Sequence, residues 1–161
     1  MHREVDAAKR RGSQILKLDF LYDSFKKHKT KNMAIEIANS LALKIAVTEA
    51  ERLLAINLLK QQQLPTSDID DDKLIYLLID GERVIGTAGL EIFDDCALLR
   101  SISVIKEEQE KGYGRFINEA MENYTYESGT NCLYLLTGTT KDFFDKQRYG
   151  VIKREDTPAA V

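Results

Sequence analysis

Apolar residues near the start of the chain recur every three or four positions, as they do on one face of a helix. This spacing predicts an amphipathic helix near residues 13–29, for which Ser13 is a suitable N-cap. Its apolar face would consist of Ile15, Leu18, Leu21, Tyr22 and Phe25. We interpret residues 1–40 as an N-terminal extension that is partly helical, followed by one domain over residues 41–161.

Beyond residue 40 the hydrophobic pattern becomes regular. Alternation over residues 41–47 predicts a strand. Thr48 and Glu51 then match a capping box, which predicts a helix that ends near Leu64 and Pro65.

Three strands should follow as a meander, because Asp80-Gly81 and Asp94-Asp95 are turn signals between apolar runs. The runs cover residues 74–79, 83–93 and 96–104. The third run is apolar on both sides except at three polar positions, which predicts a central strand covered on both faces.

The remaining pattern alternates between helix and strand. A loop over residues 106–114 precedes a helix whose apolar face includes Ile117 and Met121, and Gly129 is a suitable stop for this helix. The chain then continues with a strand over 133–137, a helix over 140–148 and a last strand that begins at Val151. This order predicts an α/β domain with a mixed sheet that helices cover on both faces.

Charge and composition narrow the class of protein. The chain has 161 residues and a formal net charge of -3, so it fits one domain and carries no electrostatic footprint for nucleic acid or an anionic membrane. The basic run at residues 26–29 is interpreted as a solvated helix end. No apolar run is long enough to span a bilayer, and the first residues do not resemble a signal peptide, so we expect a cytoplasmic protein.

The cysteines and histidines favour neither a metal site nor a covalent nucleophile. Cys96 and Cys132 lie far apart in the sequence, and neither His2 nor His28 has a metal-ligand neighbour. A Ser-His or Cys-His pair is therefore not expected. Cys96 lies in an apolar stretch and is interpreted as part of the core.

The most informative segment lies between the third strand of the meander and the following helix. Gly112 and Gly114 allow a tight turn with open backbone N–H groups, and the helix start adds partial positive charge, which suits a pyrophosphate. The Gly-Lys-Ser/Thr of a Walker loop is absent, and Ile117 stands where a dinucleotide fingerprint needs its third glycine. An ordinary strand-to-helix turn remains as the alternative.

The pattern Gln109-x-x-Gly112-x-Gly114, after a strand that ends Ile102-Ser103-Val104, resembles the acetyl-CoA motif of the GNAT N-acetyltransferase superfamily. The resemblance covers roughly residues 43–161. Within the superfamily, the chain looks like the arsenic-resistance N-acetyltransferases and the acetyltransferase domain of N-acetylglutamate synthase. Five short segments carry this likeness: residues 89–91, 97–101, 133–137, 143–144 and 158–160.

The resemblance implies a GNAT-like acyl-CoA N-acyltransferase fold and acetyl-CoA as co-substrate. The last strand of the meander would splay from its neighbour, and the pantetheine arm would pair there with the backbone of Ile102, Ser103 and Val104. The pyrophosphate would lie on the backbone amides of Gln109, Glu110, Lys111, Gly112, Tyr113, Gly114 and Arg115. Many relatives have glycine at the position of Glu110, whose carboxylate does not favour a pyrophosphate.

Two charged residues are candidates for deprotonating or binding the acceptor amine. An amine is protonated at neutral pH, so a general base must remove its proton, and Glu91 is placed to do so. Arg100 is a lone charge in a buried strand, which needs a partner: either a carboxylate of the substrate or a protein acid such as Asp95. Backbone N–H groups near Val104 would stabilise the oxyanion.

The catalytic acid of many GNAT enzymes is a tyrosine that protonates the leaving thiolate, and the matching position here is Phe144. A thiolate is already a fair leaving group, so transfer without this acid is feasible. Tyr149 is interpreted as a packing residue.

We therefore expect an acetyl-CoA-dependent N-acetyltransferase that acts by direct transfer on a small amino acid or amino-acid-like amine. The alternative is a catalytically weak acetyl-CoA-binding or regulatory module. No nucleic acid or membrane partner is expected. The chain ends soon after the sixth strand, so residues 30–40 or a second copy in a homodimer would have to cover the free edge at residues 133–137.

Overall fold

A computed structural model describes residues 14–20, 41–71, 73–138 and 140–161 of the chain. They form one seven-stranded mixed sheet with helices on both faces, as the sequence pattern predicts. The strands are β1 (Gln14–Asp19), β2 (Leu41–Ile45), β3 (Leu74–Asp80), β4 (Arg83–Ile92), β5 (Cys96–Val104), β6 (Cys132–Thr137) and β7 (Gly150–Ile152). The α-helices are α1 (Glu49–Gln61), α2 (Tyr113–Glu127) and α3 (Lys141–Asp145), and short 3-10 helices cover Lys106–Glu108 and Arg154–Asp156.

The strand order across the sheet is β2-β3-β4-β5-β6-β1-β7. β3, β4 and β5 are antiparallel neighbours that follow one another in sequence, as predicted for the meander, and β2 pairs antiparallel with β3. β6 is parallel to β5, and β1 runs antiparallel to both β6 and β7.

The start of α1 confirms the predicted capping box. The Glu51 backbone N–H donates to Thr48 Oγ1 over 3.2 Å, and the Thr48 backbone N–H donates to Glu51 Oε2 over 3.0 Å. These bonds satisfy N–H groups that the first turn of a helix leaves without an intrahelical partner. The helix ends at Gln61, three residues before the predicted limit at Leu64.

Each face of the sheet has its own apolar cluster. Ile117 and Met121 of α2 pack with Ala88, Leu90 and Leu99 on one face. On the other face, Ala55 of α1 belongs to a cluster with Ile75 and Leu77. Among the residues that the structure describes, no helix combines the length and the apolar character needed to cross a membrane.

The predicted helix near residues 13–29 is wrong over residues 14–19, which form β1. Leu16 and Leu18 are buried in the α2-side cluster, whereas Ile15 lies in a separate cluster with Cys96 and Tyr134. Side chains that alternate between two buried faces are typical of an internal strand. Backbone pairing with β6 and β7 therefore overrides the helical spacing, and the remaining part of the predicted helix lies outside the described residues.

The sheet edge that was expected to be free at residues 133–137 is covered by β1. Neither residues 30–40, which lie outside the described residues, nor a second copy is needed to pair with β6. For the same reason, residue 40 does not separate an extension from a domain, because β1 is an internal strand of the sheet. The last strand that the domain was expected to lack leaves no free edge at β6, because β1 lies there.

Candidate active site

β5 is paired on both sides along its first half and on one side along its second half. Its parallel pairing with β6 joins Cys96–Leu99 to Cys132–Leu135 and goes no further. Its antiparallel pairing with β4 continues to Val104, opposite Gly86. Among the residues that the structure describes, 102–104 have no ladder partner on the β6 side, so their backbone faces an opening there.

A bulge lies where β5 leaves β6. Thr87 is opposite Ser103 and Gly89 is opposite Arg100, so one residue of β4 faces two residues of β5. Ser101 in this bulge has a φ of 54°, in the left-handed region that non-glycine residues seldom adopt. A bulge of this kind bends its strand and increases the local twist.

The loop after β5 leads from this opening to the start of α2. Gln109 Nε2 donates to the backbone oxygen of Val104 over 3.0 Å, which ties the loop to the end of the strand. Gly112 is the N-cap of α2, with a φ of 88° and no atom within 4 Å of an added Cβ. The first turn of α2 contains no acidic residue. The backbone N–H groups at the start of α2 are therefore accessible, and such groups are suited to binding an anion.

The charged side chains of this loop are largely neutralised by one another. Lys111 Nζ lies 2.7 Å from Glu108 Oε2, and Arg115 Nε lies 2.7 Å from Glu119 Oε1. The hydrogen bond from Lys111 lowers the pKa of Glu108. Glu110 has a φ of 64°, so it occupies a left-handed position without being glycine. The candidate groups for binding an anion at this loop are therefore its backbone amides rather than its paired cations.

Glu91 and Arg100 meet on the α1 side of the sheet, close to the bulge. Arg100 Nη1 donates to Glu91 Oε1 over 2.5 Å, and Lys73 Nζ lies 2.7 Å from Glu91 Oε2. Arg100 Nη2 lies 2.5 Å from Asp68 Oδ2. The protein partners of Arg100 are thus Asp68 and Glu91, and the expectation that Asp95 would pair with it is wrong, because Arg100 extends across Gly89.

This ion-pair network keeps Glu91 charged. Burial by itself would raise the pKa of Glu91, but hydrogen bonds from Lys73 and Arg100 outweigh it and lower the pKa. The Glu91 side chain is only 13% exposed. It is therefore not an ordinary surface glutamate; it is an ionised carboxylate with reduced basicity.

The aromatic residues near α3 belong to the core. Phe144 is 6% exposed and packs edge-on against Phe143 and Tyr149. Tyr149 is buried and its hydroxyl donates to Asn118 Oδ1 over 3.1 Å. Phe144 therefore supplies no acid, and the hydroxyl of Tyr149 is occupied inside the protein.

Three residues of the site were not identified from the sequence: Lys73, Asp68 and Thr87. Asp68 lies in an acidic loop and Lys73 directly follows that loop. Both are far from Glu91 and Arg100 along the chain, so no local sequence pattern connects them. Thr87 is a fully buried polar residue within an apolar strand, and its polarity is the one signal that could have marked it.

The sheet, its opening beside β5 and the anion loop form the fold of acyl-CoA N-acyltransferases. The sequence profile described as "Acetyltransferase (GNAT) family" matches residues 35–148, and the chain belongs to that family. GNAT enzymes use acetyl-CoA as their co-substrate. No protein with a curated description matches the chain significantly in sequence.

Solved structures share the fold at low sequence identity. A GCN5-related N-acetyltransferase from Kribbella flavida is 12% identical with a TM-score of 0.62, over 86% of this chain and 54% of its own. N-acetylglutamate synthase from Neisseria gonorrhoeae, complexed with coenzyme A and L-arginine, is 16% identical and has a TM-score of 0.67. The match covers 76% of this chain and 30% of the synthase. Glucosamine-6-phosphate N-acetyltransferase from Arabidopsis thaliana is 15% identical and has a TM-score of 0.56. The match covers 73% of this chain and 97% of that protein. The chain thus spans about half or less of the first two proteins.

Proposed function

We propose that this chain transfers the acetyl group of acetyl-CoA directly to the amine of a small amino acid or amino-acid-like molecule. The observation that carries the proposal is the path from residues 102–104 to the candidate anion loop at residues 109–115. Among the described residues, 102–104 have no ladder partner on the β6 side. Backbone groups along this path fit a pantetheine arm and a pyrophosphate respectively. Bound acetyl-CoA would supply the activated acetyl group as a thioester.

Glu91 is the residue that we propose to receive the proton of the acceptor amine, directly or through a water molecule. Its carboxylate lies beside the bulge and is ionised at neutral pH. The two cations that hold Glu91 in place also weaken it as a base, so proton removal is the demanding step for this site. The backbone of β5 near Val104 would hold the oxyanion of the transfer step.

Arg100 is the proposed binding group for a carboxylate of the acceptor. Its Nε is buried and has no hydrogen-bond partner within the described part of the chain, while its two terminal nitrogens contact Glu91 and Asp68. An acceptor carboxylate would compete with Asp68 for the guanidinium. The same class of acceptor is suggested by the Neisseria synthase, which has been crystallised with coenzyme A and N-acetyl-glutamate. An amino acid should then be preferred over the same amine without its carboxylate, and Arg100→Met should remove the preference.

A catalytically weak acetyl-CoA-binding or regulatory module remains the second candidate. It is favoured by Phe144, which is buried and supplies no hydroxyl to the leaving thiolate. A panel of amino acids and amines, assayed for free coenzyme A as the thiol product, separates the two functions. Binding of acetyl-CoA without turnover of any acceptor would favour the module.

The test of the proposed site is a titration of acetyl-CoA by calorimetry against matched glycine variants. Gly112 and Gly129 lie at opposite ends of α2, both have positive φ, and neither has an atom within 4 Å of an added Cβ. Gly112→Asp and Gly129→Asp therefore impose similar backbone strain. Only Gly112→Asp should weaken binding, by at least about tenfold, because it places a carboxylate at the anion loop. Equal affinity of the two variants would contradict the assignment.

A further inference from the structure

Thr87 is a buried residue that the proposed acetyl transfer does not use directly. It lies on β4, is fully buried, and its Oγ1 donates to the backbone oxygen of Ser101 over 2.8 Å. Ladder hydrogen bonds join backbone groups, so this bond from a side chain is an additional link between the two strands.

The carbonyl that Thr87 contacts belongs to the residue that departs from strand geometry. Ser101 has a φ of 54°, whereas a residue in a regular strand has a negative φ. A left-handed conformation is unfavourable for a residue with a Cβ, so the surroundings must hold Ser101 in it. The hydroxyl of Thr87, which β4 holds in place, donates a hydrogen bond to this residue.

The position of the bulge coincides with the opening of the sheet. Pairing between β5 and β6 ends at Leu99, two residues before Ser101. Pairing between β5 and β4 resumes in a shifted register at Ser103, opposite Thr87 itself. Thr87 therefore contacts Ser101 through its side chain and is also the ladder partner of Ser103, where the pairing of β4 with β5 resumes.

We infer that Thr87 is a positioning residue: its hydroxyl holds Ser101 in the left-handed conformation, so that β5 bends away from β6 and leaves the backbone of residues 102–104 open for coenzyme A. This role depends on the proposed function for the identity of its ligand. It does not depend on that function for the shape of β5, which is a property of the free protein.

The experiment compares Thr87→Val and Thr87→Ser with the parent, and the probe is coenzyme A measured by calorimetry. Valine has the shape of threonine without its hydroxyl, whereas serine keeps the donor. Thr87→Val should weaken coenzyme A about tenfold, or about 1.4 kcal/mol, and Thr87→Ser should bind within about twofold of the parent. The double variant Thr87→Val/Ser101→Gly should recover most of the affinity, because glycine adopts a positive φ without a holding contact.

The matched control is Thr125→Val. Thr125 is also fully buried and its Oγ1 donates to the backbone oxygen of Met121 over 2.7 Å, but it lies near the far end of α2. Both valine variants remove a buried hydroxyl that donates to a carbonyl. Melting temperatures are expected to change in either variant, whereas the affinity for coenzyme A should fall only in Thr87→Val.

Backbone hydrogen exchange of the free protein separates failure of this inference from failure of the proposed function. In Thr87→Val, amides of residues 101–104 should exchange at least about tenfold faster than in the parent, and those of Cys96–Leu99 should not. If the parent does not bind coenzyme A, the proposed function fails, and the exchange pattern still decides the role of Thr87. Unchanged exchange at residues 101–104, or equal loss of affinity in Thr125→Val, would overturn the inference.

Discussion

The two halves of the sheet are built in different ways. One half, which we call the hairpin half, consists of β2, β3, β4 and the first part of β5. There β3, β4 and β5 pair as consecutive hairpins, and β2 pairs with β3 across α1. In the other, non-local half, β1 from the start of the chain lies between β6 and β7, which both come from near its end. The hairpin half carries the charged residues of the candidate site, and the non-local half depends on the pairing of β1.

Two buried glutamates, one on the sheet and one on α2, differ in their surroundings. Glu91 of β4 contacts two cations, which lower its pKa. Glu122 of α2 accepts a hydrogen bond from Asn118 Nδ2 over 2.6 Å, and its neighbour Tyr149 immediately precedes β7. Burial raises the pKa of Glu122 to about 7, although Asn118, Arg148 and Tyr149 act in the opposite direction. Direct contact with cations, rather than burial itself, decides which carboxylate stays charged.

The largest expected effect is a loss of stability when the packing of β1 in the non-local half is disrupted. Leu16 of β1 has no exposed surface, so Leu16→Ala should lower the free energy of unfolding by about 2–5 kcal/mol. Leu53→Ala is the control, because Leu53 is 55% exposed and should change it by about 0.5 kcal/mol or less. Denaturant unfolding measures both, and deletion of residues 1–32 should be at least as damaging as Leu16→Ala. Similar stability of the two variants would show that β1 is dispensable.

The second prediction concerns the pH dependence of stability at Glu122. Its pKa is raised in the folded state, so folding favours the protonated form, and stability is lost as pH rises from about 4.5 through about 7. Glu122→Gln should remove this loss and stabilise the protein at pH 8 by up to about 3 kcal/mol. Thermal melts at several pH values are the measurement. Glu119→Gln is the control on the same helix, and a parent whose stability is flat between pH 5 and 8 would refute the prediction.

The third prediction concerns the ionised carboxylate of the hairpin half. Glu91→Gln should lower kcat by about 100-fold if Glu91 receives the proton of the amine. Asp68→Asn is the control, because it removes the other carboxylate partner of Arg100 and leaves Glu91 in place. Initial rates over a range of pH test this pair. Equal losses of kcat in the two variants would assign Glu91 a structural role only.

The smallest expected effect concerns the loop between the two halves. Glu110 and Gln63 are both non-glycine residues with positive φ, at 64° and 58°. Replacing either by glycine should relieve up to about 1 kcal/mol of backbone strain. Only Glu110→Gly should also strengthen acetyl-CoA binding, by roughly threefold, because it removes a carboxylate from the anion loop. Calorimetry and thermal melts report the two effects separately, and equal affinities in the two variants would contradict this prediction.

The hairpin half was predictable because its signals are local. The predicted strand at residues 96–104 coincides with β5, and the capping box at Thr48 starts α1 as expected. The short segment 14–19 was assigned the wrong structure, because apolar residues at positions 15 and 18 suit either a helix or a two-sided strand. Pairing with β6 and β7, which lie more than a hundred residues away in the chain, makes this segment a strand.

The candidate site divides in the same way. The anion loop and Glu91 were proposed from residue types and spacing, but the partners of Glu91 were not, because Lys73 and Arg100 approach it only through strand register and a loop. Cys96 and Cys132, which looked unrelated in the sequence, are opposite each other in the β5–β6 pair.

Periodicity and short motifs in the sequence were sufficient to predict the α/β class, the meander and the family. The folded structure, by contrast, places β1 within the sheet and the bulge at Ser101, lowers the pKa of Glu91 and raises that of Glu122 to about 7. These properties depend on which distant groups come into contact, because pairing free energies and pKa shifts arise from neighbours in space rather than from neighbours along the chain.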